Sequence, residues 1–189
     1  MTVTSLLSAV FLQAMLPADF APVGRAEILV DGRPAVLTRA QPLDQPEPKL
    51  GGAHVSSVEA GDRLLGYAKM TAEMAEGPLP GKERAQEIAM QFLQAHAPDL
   101  RAAHQIHWIA PHEEMISVDG KRLILTGMKV KMRSTLPDKL WFWVIVGPGE
   151  EVMVFERDIF WISLPGRRRT EKWLQDAWLA DHGGARVFE

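Results

Sequence analysis

His104, His107 and His112 fall within nine positions and are followed directly by Glu113 and Glu114. Imidazole and carboxylate are common metal ligands, so this cluster is the first place to look for a bound ion. Its spacing argues against one. No two of the histidines stand four apart, as a helical ligand pair would, and on a strand His104 and His107 project to opposite faces. Edge-strand and loop histidines are the expected reading, with no metal and no cofactor. The carboxylates Glu113, Glu114, Glu150, Glu151, Glu156 and Asp158 would serve as a general acid and base only if their surroundings drove two pKa values apart, and no such pocket is legible in the sequence. The serines lack a Gly-x-Ser-x-Gly elbow, and no phosphate-cradling glycine motif occurs. The absence of cysteine excludes thiol catalysis, disulfides and thiolate metal sites. No catalytic residue is assigned.

Two sets of residues remain as binding candidates. Arg167, Arg168 and Arg169 are three like charges just ahead of an expected helix N-terminus, where they oppose the helix dipole and repel one another. They read either as a solvated loop or as a basic tip that docks a carboxylate- or phosphate-bearing protein partner. The second set is Phe142, Val144, Trp173 and Trp178, expected as walls of an apolar ligand pocket beneath the C-terminal helix.

The elements that must position these residues follow from periodicity. Asp31-Gly32 between apolar runs at 25–30 and 35–39 predicts a β-hairpin. The Pro- and Gly-rich stretch 40–52 reads as a linker. A helix is expected over 62–75, from a stripe through Leu64, Leu65, Ala68, Thr71, Ala72 and Ala75 that Gly66 weakens. A clearer one spans 82–97, with Ala85, Ile88, Ala89, Phe92 and Leu93 at helical spacing and Pro98 forbidding continuation. Strands follow at 105–110, 122–133, 140–146 and 152–161. Thr170 is placed to cap a C-terminal helix running to Asp181. A simple hairpin loop over 134–139 sets Met132 opposite Trp141, Val130 opposite Trp143 and Met128 opposite Ile145. In that register the 82–97 helix covers Met128, Val130, Trp143 and Phe155. Phe142 and Val144 are left on the reverse face for the C-terminal helix, whose Trp173 and Trp178 share a stripe.

A helix followed by an antiparallel meander, with a Trp-x-Trp strand leading into Glu-Val-Met-Val-Phe-Glu-Arg-Asp, resembles a PepSY-type or cystatin-like unit over about residues 82–161. Arg157-Asp-Ile-Phe160 stands where PepSY repeats commonly end in Asp-x-x-Thr-Gly. The resemblance implies a binding or inhibitory module.

The fold expected is therefore α+β: a helix packed on an antiparallel β-meander, with an N-terminal β-hairpin and a C-terminal helix. The organisation expected is an apolar segment over 1–24, a hairpin and linker over 25–61 and a core over 62–189. A 47% hydrophobic content fits a packed core, and a net charge of −3 gives no bulk attraction to nucleic acid or an anionic bilayer. No run has the length of a membrane-spanning helix. The apolar stretch Leu6–Leu16 fits either a signal-peptide core or a helix packed on the body. The lack of a preceding Lys or Arg leans toward the latter and toward a cytoplasmic protein. The function expected is a non-enzymatic protein-interaction or accessory module, with a small hydrophobic-ligand-binding protein as the alternative.

Overall fold

Asp31 and Gly32 both adopt positive φ, at 47° and 75°, the backbone signature of the two-residue turn whose twist matches a β-hairpin. They join β1 (Phe20–Val30) to β2 (Arg33–Pro42), with Val30 paired to Arg33. Beyond β2 the strap of residues 43–53 leads into a second hairpin, β3 (His54–Ala60) and β4 (Arg63–Met70). This hairpin replaces the helix expected over 62–75, of which one 3₁₀ turn at Ala72–Ala75 forms. The physical reason is that β4 is interior to a sheet and buried on both faces. Leu64 and Tyr67 face one core and Ala68 and Met70 the other, so apolar residues occur in both parities and imitate a helical stripe.

The computed structural model describes residues 11–188. After β4 the chain crosses one face of the sheet as α1 (Lys82–His96) and α2 (Pro98–Ala102). Pro98 ends the first helix and opens the second, where its missing N–H costs nothing. Four strands follow: β5 (His104–Val118), β6 (Lys121–Ser134), β7 (Trp141–Val146) and β8 (Val152–Ile159). The eight strands form one antiparallel sheet in the order β1-β2-β3-β4-β8-β7-β6-β5. Two four-stranded meanders are thus joined at a β4–β8 seam, where Gly66, Tyr67 and Ala68 pair with Glu156, Phe155 and Val154. The boundary expected between residues 61 and 62 falls in the β3–β4 turn, inside this continuous sheet.

Each face of the sheet carries its own core. On the first, Ala85, Ile88, Ala89, Phe92 and Leu93 of α1 pack on Met128, Val130, Met132, Phe142, Val144 and Phe155. Residues 11–15 are helical and join this layer: Leu12 is buried, and the Phe11 ring lies 5.8 Å from Tyr67 and 5.0 Å from His96. The rest of the apolar run, up to residue 10, lies outside the described residues.

The β6–β7 register differs from expectation by one residue. Ser134 bonds Leu140 across the loop, and Arg133 pairs with Trp141, Met132 with Phe142 and Val130 with Val144. A slip of one position moves a whole strand's side chains to the other face. Phe142 and Val144, not the tryptophans, therefore lie under α1.

The second core gathers Ile28, Leu37, Val58, Ala68, Ile145 and Met153 beneath the C-terminal segment. That segment is not the helix expected from Thr170. It runs through a small hairpin, β9 (Trp161–Ile162) and β10 (Arg167–Arg168), then largely without regular structure to α3 (Asp176–Asp181) and a 3₁₀ turn at Gly184–Phe188. Thr170 caps nothing: its buried hydroxyl donates to Asp31 Oδ2 at 2.7 Å and accepts the Phe160 N–H at 2.9 Å. Gly66 makes the crossing possible, because a Cβ there would lie 2.7 Å from Leu174 Cδ1.

Candidate functional site

The alternation Lys129, Lys131, Arg133 places three cations on the C-terminal-segment face of β6, in register with Ile145, Trp143 and Trp141 of β7. On the other side of β6, strand β5 carries a bulge between Ile106 and Trp108. Without it Trp108 would follow Ile106 in parity and face Val130. The extra residue, His107, brings Trp108 opposite Lys131 instead. The β9–β10 hairpin then folds Trp161 over the same point.

Three indoles consequently surround one ammonium. Lys131 Nζ lies 4.6 Å from the Trp141 ring centroid, 5.4 Å from Trp161 and 5.5 Å from Trp108. Trp108 and Trp161 remain 38% and 41% exposed, so the group forms an open platform rather than a core. Arg133 stacks 5.2 Å over Trp141, and the His107 ring meets Trp141 edge-on at 5.1 Å. Lys131 makes no ion pair among the described residues. Burial against the rings lowers its pKa. Deeper in the same row, Lys129 lies 4.1 Å over Trp143, and burial holds its pKa down at about 8 against the pull of Glu156.

The three arginines expected as a basic tip are divided. Arg167 is exposed. Arg168, part-buried with a side chain 7% exposed, pairs with the buried Glu156 at 2.7 Å, while its Nε and Nη2 donate to the Thr170 and Glu171 carbonyls. Arg169 approaches Asp31 at 3.9 Å and lies 5.1 Å over Phe160. The acids that answer these cations are remote in sequence, on β8 and in the β1–β2 turn. The four expected pocket walls are likewise separated: Phe142 and Val144 belong to the α1 core, and Trp173 and Trp178 to the opposite face. Trp173 donates to the Leu29 carbonyl at 2.9 Å, and Trp178 stacks on His182 at 3.9 Å. The free space beside Trp173 and Leu174 is only about 20 Å³.

Among the described residues, no three His, Asp or Glu side chains converge as a metal site. His104 faces the Arg101 carbonyl at 3.0 Å and His112 pairs with Glu114 at 3.0 Å.

A buried polar cluster unforeseen in the sequence fixes the C-terminal segment to the first meander. Arg39, 1% exposed, grips Asp176 through both terminal nitrogens at 2.8 Å, and Asp176 also accepts the Gly51 N–H at 2.5 Å. Beside them His54 is held neutral: burial first and Arg39 second depress its pKa to about 4, against the pull of Asp176. Next to this cluster a cleft of about 490 Å³ opens between the β5–β6 ribbon and Leu174–Ala177. Its one sequence signal was Glu113-Glu114; the lining as a whole comes from five separate segments. Comparison with protein-family models, curated proteins and solved structures finds no match to this chain.

Proposed function

We propose that the protein is a non-enzymatic interaction module that binds an acidic, extended segment of a protein partner along β5, with carboxylates over Lys131 and Arg133 and apolar groups against Trp108 and Trp161. The observation that carries this reading is Lys131, an ammonium among three indoles, two of them open to solvent, with no carboxylate paired to it among the described residues. Exposed Trp and cations side by side are the composition of interface hot spots. A polypeptide is favoured over other polyanions because β5 is the edge of the sheet. Its outward N–H and C=O groups fit a further strand, which gives affinity while alternate side chains give selectivity. The helix-then-meander order shared with PepSY-type and cystatin-like units supports binding over catalysis.

The test is a titration of a ten-residue alternating Glu–Val peptide, read by tryptophan fluorescence and calorimetry. Saturable binding that weakens with added salt is expected, with a loss of about 5- to 30-fold in Lys131→Gln and in Trp108→Ala. Equal binding of an alternating Lys–Val peptide, or unchanged affinity in both variants, would overturn the proposal.

A further inference from the structure

The cleft beside His54 is separate from the Trp platform and has different chemistry. Its floor is His54 and Met70, one wall is Glu113 to Ile116 with Arg122 and Ile124, and the other is Leu174 to Ala177. At about 490 Å³ it lies in the size range of small-molecule sites. Met70, Ile116 and Leu174 give it an apolar lining, and Met115 and Ile124 form an exposed apolar rim.

Its polar groups are mostly acceptors. Glu113 and Glu114 line it, Glu114 with one oxygen on His112, while the carboxylate of Asp176 is already held by Arg39 and the Gly51 N–H; the single lining cation, Arg122, is exposed and turns its Nε to Met115 Sδ at 2.9 Å. The floor adds an independent sign of a missing donor. His54 is 2% exposed, and its Nδ1–H donates to the Gly52 carbonyl at 2.8 Å. This fixes the tautomer, so Nε2 at the other end of the ring carries a bare lone pair, and it has no partner. A buried acceptor without a donor is costly, and such a group beside a cleft calls for an occupant that brings an N–H.

We infer that this cleft is a binding site for a small organic ammonium ion carried on an apolar body, its N–H groups directed to Glu114 and the His54 floor and its hydrocarbon part against Met70, Ile116 and Leu174. A carboxylate ligand would meet Glu113, Glu114 and an acceptor nitrogen, with Arg122 as the one lining cation in answer, since Arg39 is already spent on Asp176. A neutral alcohol would supply one donor without the charge attraction. The selectivity therefore runs ammonium, then alcohol, then carboxylate.

The experiment compares n-hexylammonium, hexanol and hexanoate on the full-length protein, followed through the methyl NMR signals of Met70, Ile116 and Leu174. Hexylammonium should saturate these signals at least tenfold more tightly than hexanol, hexanoate should not saturate them, and butylammonium should bind more weakly than hexylammonium. Glu114→Gln should cut the ammonium preference by about 5- to 10-fold. Glu113→Gln, at an exposed position, gives a second reading should the first variant be unstable. Trp108→Ala should leave hexylammonium binding unchanged, which keeps this site distinct from the platform. Hexanoate binding as tight as hexylammonium, unchanged selectivity in both Glu variants, or no saturable shift at the cleft methyls would overturn the assignment.

Discussion

Arg168 and its neighbour Arg167 have the same side chain and opposite situations. Arg168→Ser removes the guanidinium paired directly to the buried carboxylate of Glu156 and leaves it only the pull of Lys129, a change expected to cost about 3–5 kcal/mol. Arg167→Ser touches an exposed position and should stay within about 0.5 kcal/mol. Urea denaturation of the two variants checks this, and equal midpoints would show that the Arg168–Glu156 pair holds nothing. The difference was not legible along the chain, because Glu156 lies on β8 and reaches Arg168 only after the β9–β10 hairpin turns back. Lys131 was half legible: the alternation through 129–133 put three cations on one face. Its indole neighbours depend on a bulge at His107 and on a loop length, and neither leaves a signal in residue types.

Among the elements, α1 and the first hairpin were readable because local chemistry decides them: a 3.6-residue apolar stripe in one, a turn needing positive φ in the other. β4 was misread because burial on both faces erases the alternation that marks a strand. The C-terminal segment was misread for a different reason. Leu174 and Leu179 do cover a sheet face, but the covering is done mostly by irregular chain held through side chains, with Arg39 gripping Asp176 and Trp173 bonded to the Leu29 carbonyl. Removal of everything after Pro165 should therefore expose Ile28, Leu37 and Val58. The truncated protein is expected to bind an apolar-surface dye and to lose cooperativity in thermal unfolding. A monomeric truncation product with an unchanged midpoint and no dye binding would show that the segment is dispensable to the fold.

For the molecule as a whole, the cluster around Arg39 couples stability to pH. An unfolded chain takes up a proton on His54 as pH falls below about 6.5, whereas burial holds the folded form neutral down to about 4. The unfolded state thus binds more protons in that window, and the contribution is fully present above about pH 6.5 and lost as pH falls toward 4. The loss is on the order of 2–3 kcal/mol. Asp176 acts in the same direction at lower pH: burial raises its pKa, but His54 and Arg39 outweigh that and hold it below the usual carboxylate value, so its contribution goes only in stronger acid. Denaturation midpoints at pH 7.5 and pH 5 test this. The wild type should lose stability between them, His54→Asn should lose much less, and parallel lines for the two proteins would rule His54 out.

The β4–β8 seam has a consequence for how the chain is made. β4 emerges from the ribosome with β3 on one side, but its other neighbour is encoded roughly 90 residues downstream, which at about 5–20 residues per second is a wait of about 5–18 s. Through that interval the outward backbone groups of Gly66, Tyr67 and Ala68 have no strand to meet. The completed protein has β1 and β5 as its sheet edges. The nascent one carries a third, and the interval during which that edge stays open is set by translation speed rather than by any property of the finished fold.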